Sequence, residues 1–172
     1  GFIGLGNMAK AMAQGFVNSK KIDKENLFAF APNQEKLKMN AQSIGFIPVE
    51  SLIELVRKVD TVIVACKPYQ IEKVLTEIQS ELKGKTLISV AAGWVFETFN
   101  KILKDQVRIQ CVMPNTPSMV GEGVLLFEKT SSLEKEELVQ VKDLFSSLGM
   151  IEELDSSLMG IGGAISGCGP AF

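Results

Sequence analysis

The runs "TVIVAC" (61–66) and "TLISVAA" (86–92) are apolar at nearly every position. A strand with one face in water alternates apolar and polar residues. A strand without that alternation must be buried on both faces, as in a parallel sheet covered by helices on each side. Parallel neighbours need crossovers, and helical patterns separate the strand runs. In order the chain reads "GFIGL", helix "NMAKAMAQGFVNS", "NLFAFA", helix "QEKLKMNAQSI", "GFIPV", helix "SLIELVRK", "DTVIVACK", helix "YQIEKVLTEIQSEL", "TLISVAA", helix "FETFNKIL" and "VRIQCVM". This βαβα order predicts an α/β fold, a Rossmann-type doubly wound and mostly parallel sheet. Further on, "GVLLFEK" and "GMIEELD" read as two more strands joined by the helix "SLEKEELVQVKDLFSSL". In that helix Leu138, Val141, Leu144, Phe145 and Leu148 form one stripe, while Glu134, Lys135, Glu137 and Lys142 are expected to face away.

A length of 172 residues with 46% hydrophobic content suits one sizeable domain with a full core. Eighteen basic against 20 acidic side chains, with no Lys/Arg-rich block, argue against nucleic acid as a partner. No apolar run reaches the roughly 20 residues that cross a bilayer, and no signal-peptide pattern precedes the first strand, so no membrane role is expected. Cys66, Cys111 and Cys168 have neither metal-site spacing nor the even count of a disulfide framework, which points to a reducing cytoplasm and to no metal. Cys66 and Cys111, on strand runs, read as core residues. Histidine is absent, so any chemistry must proceed without imidazole.

The chain opens inside a strand and closes at "GCGPAF" in mid-element, and is therefore read as a fragment. Its last segment, "DSSLMGIGGAISGCGPAF", carries five glycines that would each cost about 1 kcal/mol against Ala inside a helix. Small residues let another backbone approach closely. The segment is read as the start of a C-terminal α-helical domain, with residues 1–155 as the nucleotide-binding domain and 156–172 as the opening of the next; a flexible linker is the alternative.

"GFIGLGNMA" is strand, turn and helix start in nine residues, with Gly4, Gly6 and Ala9 in the G-x-G-x-x-G/A positions. Amides of Gly6, Asn7 and Met8 at a helix N-terminus favour an anion, which predicts dinucleotide binding. An NAD site is expected to place an acid at the end of the second strand. Here "FAFAPNQEK" offers Ala31, Pro32 and Asn33, and Glu35 only later, so NADP is favoured and NAD stays open. Two further strand ends, "ACKP" (65–68) and "VAAG" (90–93), fall where open α/β sheets bind ligands. In "MPNTPSMVGEG" (113–123) two prolines bracket Asn115 and Thr116, stiffening a loop that reads as built to present polar atoms.

Taken in this order, "GFIGLGNMA", "ACKP", "VAAG", "MPNTPSMVGEG" and "ISGCGPAF" resemble the Δ1-pyrroline-5-carboxylate reductases over the whole chain. The resemblance implies NAD(P)H-dependent reduction of the cyclic imine 1-pyrroline-5-carboxylate to L-proline. It also implies a Rossmann domain followed by a helical domain that makes a homodimer or higher homo-oligomer. The cofactor contacts it implies are Gly4, Leu5, Gly6, Asn7 and Met8; Ala31, Pro32 and Asn33; Ser51; Ala65, Cys66, Lys67 and Pro68; and Ala91, Ala92 and Gly93. Met113, Asn115 and Thr116 would wall the substrate pocket. No catalytic residue and no metal site is assigned within this chain, because in such enzymes the second domain holds the substrate carboxylate. The chain alone is expected to bind cofactor and to turn over little. Ser51, Ala31, Asn33 and Cys168 depart from residues common in the family. The alternatives are a β-hydroxyacid dehydrogenase relative, against which M-P-N-T-P argues, and a reductase-like regulatory protein that kept only the dinucleotide site.

Overall fold

A computed structural model describes residues 1–104 and 106–169; residues 170–172 of the expected second-domain opening lie outside the described residues. The elements are β1 (Phe2–Ile3), α1 (Asn7–Asn18), β2 (Phe28–Phe30), α2 (Gln34–Ile44), β3 (Ile47–Pro48), α3 (Leu52–Lys58), β4 (Thr61–Val64), α4 (Pro68–Leu82), β5 (Thr86–Ser89), α5 (Phe96–Leu103), β6 (Arg108–Met113), β7 (Gly123–Ser131), α6 (Lys135–Ser146), β8 (Gly149–Leu154) and α7 (Met159–Cys168). One eight-stranded sheet has the order β3-β2-β1-β4-β5-β6-β7-β8. Strands β1 to β6 are parallel, β7 is antiparallel to β6, and β8 is parallel to β7. The reversal at β7 has a simple cause: residues 114–122 hold only a short 3-10 turn, Thr116–Val120, which is too brief for a parallel crossover. Among the described residues no helix is long and apolar enough to cross a membrane.

The unbroken apolar strands are explained by two cores, one on each face. Phe2, Ile63 and Ile88 join the core under α1, α2 and α6, whereas their neighbours Ile3, Val62, Val64 and Leu87 join the one under α3, α4 and α5. Each helix supplies a matching stripe. In α4 the residues Ile71, Leu75, Ile78 and Leu82, spaced three or four apart, are all fully buried. Phe145 of α6 meets Phe16 of α1 and Phe127 of β7 edge to face, with ring centroids 5.5 and 5.6 Å apart.

Glu137 departs from the expected solvent face of α6. Arg108 Nε donates to its Oε2 at 2.7 Å and the buried Thr86 hydroxyl donates to its other oxygen, so the side chain fastens α6 to the starts of β5 and β6. The glycine-rich segment is helical as α7, with Met159 buried and Ile161 and Ile165 exposed. Its inner face lies on its own sheet: a Cβ on Gly162 would stand 2.6 Å from Leu154, and one on Gly163 would overlap the Met113 sulfur. The small residues thus allow close approach to this domain itself.

Candidate dinucleotide cleft

The chain leaves β1 for β2 and β3 on one side and continues from β4 on the other, so the helices that follow β1 and β4 diverge and leave a crevice. A cleft of about 790 Å³ opens there, at the carboxyl ends of β1, β2, β4 and β5.

Gly4 ends β1 with φ +88°, and a Cβ there would stand 2.9 Å from the backbone N and Cα of Cys66. Only glycine lets the first turn pass beside the end of β4. Gly6 is different: its backbone is ordinary extended and nothing lies within 4 Å of the position of a Cβ. The fold does not require glycine at 6, and open space there, on the floor of the cleft, fits the close approach of a pyrophosphate. Gly6 is also the N-cap of α1 and brings no side chain to it, so the first amides of the helix are left for an anion. Leu5, Asn7, Met8 and Ala9 complete this wall.

At the end of β2, Ala31, Pro32 and Asn33 line the cleft. Asn33 Oδ1 accepts the Lys36 amide at 2.9 Å and caps α2. Ala65, Cys66, Lys67 and Pro68 line it after β4, and the Lys67 amide donates to Gln70 Oε1 at 3.3 Å, closing the first turn of α4. Burial pushes the Cys66 thiol up. Val90, Ala91 and Ala92 follow β5.

Five expected site residues lie outside the lining. Ser51 caps α3, accepting the Glu54 amide at 3.1 Å. Gly93 takes φ +80° in a turn at open space. Met113 is half-buried under Gly163, and Thr116 is exposed at the start of the 3-10 turn. Asn115 is 6% exposed and both ends of its amide are bonded within the protein: Oδ1 accepts the Val124 amide at 2.8 Å and Nδ2 donates to the Ser166 carbonyl at 3.0 Å. It holds the loop to β7 and α7.

Residues that motif reading missed come from the helices behind the motifs. Lys36 and Asn40 of α2, and Gln70, Lys73, Val74 and Glu77 of α4, line the cleft. Their spacing from Asn33 and from Lys67 is three, six, seven or ten residues, which keeps each set within one broad face of its helix, and that signal was available in the sequence. Lys36, Lys67 and Lys73 against Glu77 give the lining two excess positive charges, three minus one, and none of the three lysines forms an ion pair among the described residues. Glu35 does not line it. The cleft therefore favours an extended polyanion.

Sheet order, glycine turn and cleft define a Rossmann-type α/β domain. Residues 1–93 match the family described as NADP oxidoreductase, coenzyme F420-dependent. A pyrroline-5-carboxylate reductase of Treponema pallidum is 34% identical across 100% of this chain and 66% of its own length, and one of Aquifex aeolicus is 35% identical across 100% and 63%. A crystal structure of Plasmodium falciparum pyrroline carboxylate reductase with NADP bound superposes with a TM-score of 0.89 at 36% identity, covering 99% of this chain and 62% of that one. The chain belongs to the pyrroline-5-carboxylate reductase family. It spans less than two thirds of the length of these relatives.

Proposed function

We propose that the protein is an NADPH-dependent reductase that converts the cyclic imine 1-pyrroline-5-carboxylate to L-proline. The observation that carries the cofactor assignment is the cleft floor: a glycine the fold does not need, at an uncapped helix N-terminus, between walls of excess positive charge. Gly6, Asn7 and Met8 would hold the pyrophosphate, and Asn33 with Lys36 would face the adenosine ribose, where no acid stands to repel a 2′-phosphate. The Plasmodium relative with NADP bound supports the same choice. Bound NADPH supplies the hydride; the chain's own residues bind and orient, which suits a protein segment without histidine.

The substrate assignment rests on the named relatives. Residues 1–155 form the cofactor domain in this reading and 156–172 open a helical domain. Met113 and Thr116 border the substrate side, and Asn115 positions them. Exposed Leu158, Ile161 and Ile165 suit docking in a homo-oligomer, and three free thiols suit the cytoplasm.

Turnover of pyrroline-5-carboxylate by the full-length protein, followed as NADPH oxidation with NADH in parallel, tests the reading. Proline formation with a lower KM for NADPH is expected. NADPH binding without turnover would mark a regulatory protein instead.

A further inference from the structure

Glu128, in the middle of β7, is 2% exposed, and no step of the proposed reaction uses it. A buried carboxylate is costly unless every lone pair is engaged. Its Oε2 accepts the Phe96 amide at 2.7 Å, and its Oε1 accepts the Ser156 hydroxyl at 2.5 Å. The Cys111 side chain, on the neighbouring β6, lies close enough for the same carboxylate to push its thiol pKa up. Each partner belongs to a different part of the chain. Phe96 opens α5, whose N-cap, Val95, offers no side-chain cap, so Glu128 is the anion that satisfies that helix start. The loop entering α5 is 90–95, and its Val90, Ala91 and Ala92 line the cleft. Ser156 begins the segment that leads into α7.

We infer that Glu128 is a positioning residue: it holds the 90–95 wall of the cleft from behind and ties that wall to the segment beginning at Ser156. The inference rests on the proposed cofactor assignment, in which this wall lies toward the nicotinamide half. One carboxylate shared by the two elements makes the placement of either depend on the other. Gln at 128 keeps the shape and one acceptor but loses the charge that faces the helix start and one of the two acceptor oxygens. Ala at 156 removes the second tie without touching the cleft.

The test uses the full-length protein and calorimetric titration with two probes, NADPH and adenosine 2′,5′-bisphosphate, which occupies only the adenosine half. E128Q is expected to weaken NADPH about fivefold, the size of effect seen for positioning residues outside a ligand's contacts. S156A is expected to shift it in the same direction by a smaller factor, and the double variant by less than the product of the two. Binding of the bisphosphate should stay unchanged in all three, a split that general loss of stability does not produce. Unmoved NADPH affinity in both single variants overturns the inference, as does equal loss for both probes. S156A alone decides the matter should E128Q fail to fold. Native protein that binds neither probe overturns the cofactor assignment and this inference together, whereas native binding with unmoved variants overturns only the inference.

Discussion

The side-chain amide of Asn115 donates to the carbonyl oxygen of Ser166 at 3.0 Å, joining the proline-bracketed loop to the glycine-rich helix across 51 residues. The same side chain accepts from Val124, so Asn115→Ala breaks two hydrogen bonds and leaves a partly buried amide without its acceptor. A loss of roughly 1–3 kcal/mol is expected in urea unfolding. Faster amide exchange should appear at Val124 and along α7. Unchanged stability would show that the loop and the helix are held by other contacts.

Gly4 and Gly6 occupy one motif and should respond in opposite ways. Gly4→Ala forces a side chain into φ +88° against Cys66 and is expected to destabilise by roughly 1–3 kcal/mol. At Gly6 a Cβ meets no protein atom, so Gly6→Val should cost only the roughly 1 kcal/mol of a poorer N-cap while abolishing NADPH binding. Thermal melts paired with nucleotide titration separate the two effects.

Lys36 and Lys73 line the cleft from α2 and α4 without ion-pair partners among the described residues. If Lys36 lies near the 2′-phosphate, Lys36→Ala should weaken NADPH about tenfold and NADH far less, since one charge-assisted contact is lost from the former only. Lys73→Ala should weaken both and flatten the salt dependence of binding. Equal effects of Lys36→Ala on the two nucleotides would move the 2′-phosphate away from α2.

Burial first, and then the neighbouring charge and hydrogen bond of Glu128, push the Cys111 thiol well above its ordinary value. The folded state keeps this proton at pH values where the unfolded chain has lost it. Stability from this group is therefore complete below about pH 8.5 and falls as pH rises above it, by up to about 1.4 kcal/mol per pH unit. Urea unfolding between pH 7 and 10 should show this decline, and Cys111→Ala should make it shallower. A disulfide reagent at pH 8 should label exposed Cys168 fastest and leave Cys111 untouched while the protein is folded.

Glu128, Asn115 and Glu137 were illegible in the sequence for one reason. Glu128 lies in a strand that reads as ordinary, and its burial became visible only when β7 was laid between β6 and β8, bringing Phe96 and Ser156 to the carboxylate. Asn115 reads as a residue on display because prolines hold its backbone, yet Val124 and Ser166 take both ends of its amide. Glu137 sits on what the helical period marks as a wet face, and Arg108 draws it to the sheet. Each depends on a partner far away in the chain.

What the sequence determined by itself is local or periodic. Unbroken apolar strands dictate burial on both faces, helix stripes dictate which side packs, and the spacing of Gly4, Gly6 and Ala9 dictates a turn and helix start suited to a pyrophosphate. These follow from residues a few positions apart, whose geometry the backbone fixes directly. Only the tertiary structure decided the antiparallel reversal at β7, the lysines that converge from α2 and α4, and the hydrogen bonds that turn Asn115 and Glu128 inward. A polar side chain's direction follows the partner that satisfies it, and that partner is supplied by long-range packing.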